Sequence, residues 1–406
     1  MPPPARPGSI AFQSRDFRFF FGARLLSAFA SLMIDTGVAW LVYDITGSAF
    51  ALGLTGLFSF LPNVLFILVV GHVADRYDRR VVLIACYSCI VLASASLVYC
   101  AAQPSIDVTI IYGLIFVFGT ARAFSSPASQ ALLPTIVPRE HFANAMTIAS
   151  STWQFAAICG PAVAGVVYIF GAPAVFSVTT LFYLGSLACL LPIKPRIAAA
   201  ASKDVTWESL TAGFRYIWRK KIIFGAISVD LFAVLLGGAT ALLPIYAKDI
   251  FHVGPVGLGV LRCMPAVGAL VCTLVLAWTG LGGRAGMKMF GAVIVFGFAT
   301  VGFGLSTNFW IALPFLFILG AADMVSVMIR NVLVQIETPN EMRGRVSAVN
   351  SIFIGASNEL GEFESGTLAA IMGPVAAVVL GGVGSVLIAL TWMKMFPGLR
   401  DRDALT

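Results

Sequence analysis

The residues of this 406-residue chain best suited to chemistry are ionisable side chains set inside long apolar stretches. They are Arg24, Asp35 and Arg122 in the first half, and Asp230, Arg262, Asp323, Arg330, Glu359, Glu362 and Glu364 in the second. Placing such a group in a bilayer costs at least about 2.5–3.5 kcal/mol on insertion scales, so each requires a reason. Six of them are carboxylates and four are guanidinium groups, which leaves two acids for protons, a cation or water to neutralise. The densest cluster is Asn358-Glu359-Leu360-Gly361-Glu362-Phe363-Glu364. Glu359 and Glu362 share a helix face, whereas Glu364 points elsewhere. Two like charges this close repel in a medium of low dielectric constant, and one proton taken up between them relieves the repulsion. The pair is expected to carry a coupling proton or to contact a cationic substrate.

Other chemistries lack their residues. No Gly-rich phosphate loop of the form GxxxxGK(S/T) occurs, so no ATP motor of that type is expected. HExxH and GxSxG are absent. His72, His141 and His252 are far apart in sequence. The seven cysteines lie mostly in apolar runs, and the CxxC of Cys86 and Cys89 has no second pair or His cluster nearby. No metal and no cofactor are expected, and a proton gradient is left as the driving force.

The elements that must hold these charges are membrane helices. Hydrophobic residues make up 59% of the chain and charged residues 11%, less than half the usual share of about 25%. A helix crossing about 30 Å of hydrocarbon needs about 20 mostly apolar residues. Such runs occur at about residues 18–43, 48–73, 81–102, 106–131, 143–170, 172–193, 222–247, 255–279, 287–306, 309–335, 345–372 and 374–396, twelve in all. Lys and Arg collect in one set of loops: Arg76, Arg79 and Arg80, Arg139, Lys194 to Lys221, Arg284 and Lys288, Arg343 and Arg345. The opposite loops hold only Lys248, so both termini are expected in the cytoplasm. The formal net charge of +7 is thereby explained by topology rather than by nucleic-acid binding. Met1 to Phe17 has no apolar core followed by a small-residue cleavage site and is expected to remain attached.

The resulting organisation is a tail over 1–17, a six-helix bundle over 18–193, a linker over 194–221, a second six-helix bundle over 222–396, and a tail over 397–406. In the linker, Trp207, Leu210, Phe214, Ile217 and Trp218 recur at helical spacing opposite Glu208, Arg215 and Arg219, the pattern of a helix lying at the membrane surface. The bundles repeat each other. Residues 116–165 align without gaps on 317–366, with Phe116, Gly119, Leu132, Pro138, Gly160 and Gly165 meeting Phe317, Gly320, Leu333, Pro339, Gly361 and Gly366. In transporters, parallel repeats of this kind place a substrate site between the halves near the bilayer midplane.

The loop after the second span reads Gly71-His72-Val73-Ala74-Asp75-Arg76-Tyr77-Asp78-Arg79-Arg80. It resembles the signature loop of the major facilitator superfamily, GxxxD(R/K)xGx(R/K)(R/K), with Asp78 where that family usually has Gly. Ser125 to Pro134 and Glu341 to Val346 resemble the branch containing the enterobactin exporter and macrolide efflux proteins. The resemblance implies an all-α membrane protein with twelve transmembrane helices in two pseudo-symmetric bundles, the major facilitator fold. It also implies that the first-half loop locks one conformation through its carboxylate. Asp75 is expected to sit against the positive N-terminal end of the eleventh helix, near Arg343 and Arg345. The equivalent second-half loop, Gly280 to Lys288, keeps basic residues and loses the acid. In the fifth span, Gly160, Pro161 and Gly165 resemble the family's antiporter motif GxxxGPxxGG, with Ala at two of its Gly positions.

Depth counting leaves the charge pairs open. Asp35 and Arg262 reach similar depths, and a contact between them is expected as an outer gate or site wall; Arg122 and Asp323, at equivalent repeat positions, suit an inner gate, and Arg122 paired with Asp35 is the competing arrangement. The function expected is proton-coupled export of a small organic molecule by a transporter that works as a monomer in a bacterial-type inner membrane. The relatives imply siderophore-like or antibiotic-like cargo. An importer, a membrane-embedded enzyme and a non-transporting sensor are the alternatives.

Overall fold

The structure, a computed structural model, describes residues 11–194 and 207–403. Among the described residues there is no strand. In lipid only a helix satisfies its own backbone within one segment, and the sequence responds with long apolar helices. In chain order these are α1 (Arg15–Thr46), α2 (Ala49–Leu65), α3 (Ile67–Arg76), α4 (Arg79–Ala101), α5 (Val108–Ile136), α6 (Phe142–Val167) and α7 (Ala172–Leu190). After the linker come α8 (Trp207–Arg219), α9 (Lys221–Leu236), α10 (Leu243–Ile245), α11 (Gly254–Thr279) and α12 (Ala285–Gly304). The chain continues through α13 (Phe309–Glu337), α14 (Asn340–Met372), α15 (Pro374–Met395) and α16 (Pro397–Arg400).

Among the described residues, ten helices are long and apolar enough to cross a membrane. The other two expected spans are helical but differ from a plain apolar rod. The second is broken at Phe66 into α2 and α3, one turn after Pro62, whose ring removes a helix hydrogen bond. The eleventh, α14, is 33 residues long but carries the acids of its centre and the arginines of its first turns. The seventh span is also discontinuous. After α9 the backbone turns at Gly237 and Gly238 and passes through a 3-10 turn, Ala239–Leu242, and α10 before a π turn, Tyr246–Ile250.

Helix starts follow from capping chemistry. Asp78, Asp107 and Asn308 accept from the backbone N–H two residues on, opening α4, α5 and α13. Gly171 and Gly373 hold φ of 94° and 87° just before the prolines that open α7 and α15, so the repeat extends to turn chemistry.

The chain forms two compact units, one of Met1–Leu41 with Leu61–Val205 and one of Val42–Phe60 with Thr206–Thr406. In the first unit, α4 packs on α5 and α7. Gly160 of α6 sits against α1, where an added methyl would come within 3.1 Å of Leu32 Cβ. In the second unit, the equivalent Gly361 of α14 lies as close to α9, 3.0 Å from the Leu235 carbonyl by the same measure. Small residues at matched positions thus draw matched helices together. The linker helix α8 rests on α14 and the end of α13: Ile217 is buried, Phe214 stacks on Phe353 of α14, and the Tyr216 hydroxyl donates to the Glu337 carbonyl of α13 at 2.9 Å. The side chains of Trp207, Glu208 and Leu210 lie outside the described residues.

Candidate functional site

Three groups of charged residues occupy the spanning helices. In the first unit, Arg122 of α5 donates from Nη2 to Asp35 Oδ1 of α1 at 2.7 Å. This is the arrangement that competes, by sequence depth alone, with an Asp35–Arg262 contact. Both side chains keep about a third of their surface accessible, 35% and 37%. Arg24, on the same helix as Asp35, is half-buried.

In the second unit, Arg330 of α13 forms an ion pair with Asp230 of α9, and here the side chains are only 2% and 6% accessible. Arg330 Nε is buried and makes no hydrogen bond. Asp323, two turns earlier on α13, lines a void of about 10 Å³ together with Asp230 and Ser326. Asp323 therefore belongs with the Asp230–Arg330 pair. Arg262 is half-buried on α11.

The third group is the acid cluster of α14. Glu359, Glu362 and Glu364 are all half-buried. Glu362 lies against the backbone of α2, where a methyl added at Gly56 would meet Glu362 Oε2 at 2.9 Å and the Glu359 carbonyl at 2.7 Å. One turn earlier, Gly53 faces Gly366 so closely that a methyl would stand 3.0 Å from its Cα. Phe50 packs on Phe363 beside this seam. On another side of α14, Gly361 and Ser365 abut the break of the seventh span at Gly238. The acids are thus held where two glycine-lined approaches converge on one helix, and each approach depends on the absence of a side chain.

Sequence reasoning missed a clasp nearby. The Tyr43 hydroxyl donates to Asp249, and Lys248 Nζ meets Asp44 Oδ1 at 2.5 Å while lying 5.8 Å from the Tyr43 ring centre. The available signal was three charged residues, Asp44, Lys248 and Asp249, on the side of the membrane whose loops carry few charges.

In the signature loop, Gly71 falls within α3 and Arg76 is exposed. Arg80 donates from Nε to the Leu190 carbonyl at 3.0 Å and from Nη2 to that of Leu191, capping the C-terminal end of α7. Arg79 is half-buried. The Asp75 side chain lies outside the described residues. Arg343 donates to the carbonyl of Thr338, the residue that ends α13, at 3.3 Å, and Arg345 to Met342 Sδ in the first turn of α14 at 3.6 Å. Gly160, Pro161 and Gly165 are buried in α6. Among the described residues, no group of His, Cys, Asp or Glu could hold a metal ion.

A family model described as transmembrane secretion effector, of the major facilitator type, matches residues 9–405. The chain belongs to that family. It is 25% identical over 391 residues to the enterobactin exporter EntS of Citrobacter koseri, covering 95% of this chain and 92% of the relative. The EntS of Escherichia coli O139:H28 is 25% identical over 394 residues, with the same coverage. Among solved structures, a bacterial homologue of the human lysosomal transporter Spinster, inward-facing and unoccupied, superposes with a TM-score of 0.73 at 14% identity, covering 95% of this chain and 98% of that one. A POT family transporter in complex with a thioalcohol-conjugated peptide gives 0.75 at 11% identity, covering 95% and 96%. The nucleoside transporter NupG gives 0.71 at 15% identity, covering 94% and 99%. The protein is a multi-pass inner-membrane transporter of the major facilitator type and not an enzyme.

Proposed function

We propose that this transporter exports a small organic molecule, siderophore-like or drug-like, in exchange for protons, by alternating access and as a monomer with both termini in the cytoplasm. Export is supported by the name shared by its relatives at 25% identity over nearly the whole chain. Proton coupling rests on Glu359 and Glu362, one turn apart on a spanning helix, with Glu362 set against the Gly56 backbone. A carboxylate pressed on a helix backbone in a low-dielectric setting is better accommodated when a proton neutralises it. Protonation would therefore change the fit of α14 on α2, which is the coupling an antiporter needs. Asp35 and Arg122, still partly accessible, are the proposed polar contacts for cargo. No cofactor is required.

The test is flux into inside-out proteoliposomes with an acid interior, across a panel of siderophore-like and drug-like compounds. Exchange export predicts accumulation of at least one compound inside as protons leave. Release of preloaded compound together with protons would indicate import instead.

A further inference from the structure

Within the first unit, α3, α4 and α5 border a groove of about 590 Å³. Phe66, Val82, Cys86, Phe116 and Phe124 form its walls, and the exposed Tyr77 and Val81 stand at its open edge. Thr120 also faces it, but its hydroxyl is spent on the Phe116 carbonyl of its own helix at 2.8 Å. Sites that select small molecules place a few converging polar groups among apolar walls. Among the described side chains lining this groove, only the Tyr77 hydroxyl at the edge is of that kind.

The polar groups lie instead at one end, where α3 gives way to α4. There Asp75, Arg76, Asp78, Arg79 and Arg80 follow within six residues. Asp78 is occupied as the cap of α4, accepting from the Arg80 N–H at 2.8 Å, and the Arg80 guanidinium is occupied by the carbonyls that end α7. Arg76 is exposed, and Arg79 Nε is buried without a hydrogen-bond partner. Arg79, Val82 and Cys86 succeed one another at i, i+3 and i+7, so that unfilled donor stands on the groove side of α4. The distribution of Lys and Arg assigns this end to the cytoplasmic surface of the membrane.

An apolar trough lined at one end by Tyr77 and Val81, which follow Arg76 and Arg79 in the chain by one and two residues, has the polarity of a single phospholipid. The geometry points to a bound anionic phospholipid of the cytoplasmic leaflet, with one acyl chain in the groove and its phosphate against Arg76 and Arg79. An acyl chain needs no polar partner along its length, which fits the bare walls. The inference is independent of the direction and coupling of transport.

Native mass spectrometry tests it. The purified protein is offered equal amounts of phosphatidylglycerol and phosphatidylcholine with identical acyl chains. The wild type should retain phosphatidylglycerol roughly tenfold or more over phosphatidylcholine. Arg76→Gln with Arg79→Gln should abolish that preference. Ala85→Trp, at an exposed position lining the groove, should remove bound lipid of either kind, with an unchanged unfolding midpoint confirming that the variant folds. Equal retention of the two lipids by the wild type would overturn the inference. So would wild-type retention by Ala85→Trp, or a transported compound that displaces the lipid and is no longer carried by Ala85→Trp, since the groove would then belong to cargo.

Discussion

The two resolved intramembrane ion pairs illustrate different uses of the same chemistry. Asp35–Arg122 in the first unit keeps 35–37% of its side-chain surface accessible, and the guanidinium is met at 2.7 Å. Asp230–Arg330 in the second is almost fully enclosed, with α9 and α13 closed around it. An enclosed pair has exchanged water for its partner entirely, so removing one member leaves a bare charge in a low-dielectric site. A half-open pair retains water as a substitute, and little stability depends on it. An accessible pair can exchange its partner for cargo, so the proposed function assigns cargo contact to the first pair, while the enclosed second pair ties α9 to α13.

The largest test of this contrast is Arg330→Ala. It should cost about 3–5 kcal/mol by stranding Asp230, seen as loss of folded protein or a sharp fall in the unfolding midpoint in detergent. Replacing both partners with apolar residues of similar size should recover most of that loss. Gly56→Val comes next: its added methyls would collide with Glu359 and Glu362, and transport should fall more than about tenfold, or at least ~1.4 kcal/mol, in vesicle flux. Asp35→Asn should change the unfolding free energy by no more than about 1 kcal/mol while suppressing transport. A large stability loss there would erase the distinction between the pairs. The smallest effect is expected from Arg80→Ala, about 1 kcal/mol of stability, because water can reach the freed α7 carbonyls.

Arg80 belongs to a second contrast between the units. In the first, the start of α4 is tied to the end of α7 by a side chain. In the second, the start of α12 is tied to the segment after α15 by backbone alone, with the Gly286 and Ala285 N–H groups donating to the Arg402 and Asp403 carbonyls at 3.2 and 3.4 Å. The repeat preserves the junction and changes its chemistry.

The sequence was most legible where lipid leaves little choice. Apolar runs marked the spans, and the spacing of Gly160 and Gly361 marked the repeat, because close helix approach admits few residue types. Helix breaks were harder to read. Pro62 and the Gly237–Gly238 pair look like many prolines and glycines in membrane helices, and only neighbouring helices determine whether the backbone turns there. Charge pairing was illegible for a geometric reason. Counting residues gives depth but not the direction a side chain faces around its helix, so by depth alone Asp35 had two candidate arginines. The glycine seam of Gly53, Gly56 and Gly366 escaped notice because its members lie about 310 residues apart and no local pattern links them.

Counting protons moved per cargo molecule, in wild-type vesicles and in vesicles of the Glu359→Gln, Glu362→Gln variant, probes the coupling role of the α14 acids most directly. Proton exchange through that pair predicts that the variant still binds cargo and unfolds at the wild-type midpoint, yet no longer accumulates cargo under a pH gradient. Gradient-driven accumulation by the variant at the wild-type rate would contradict it.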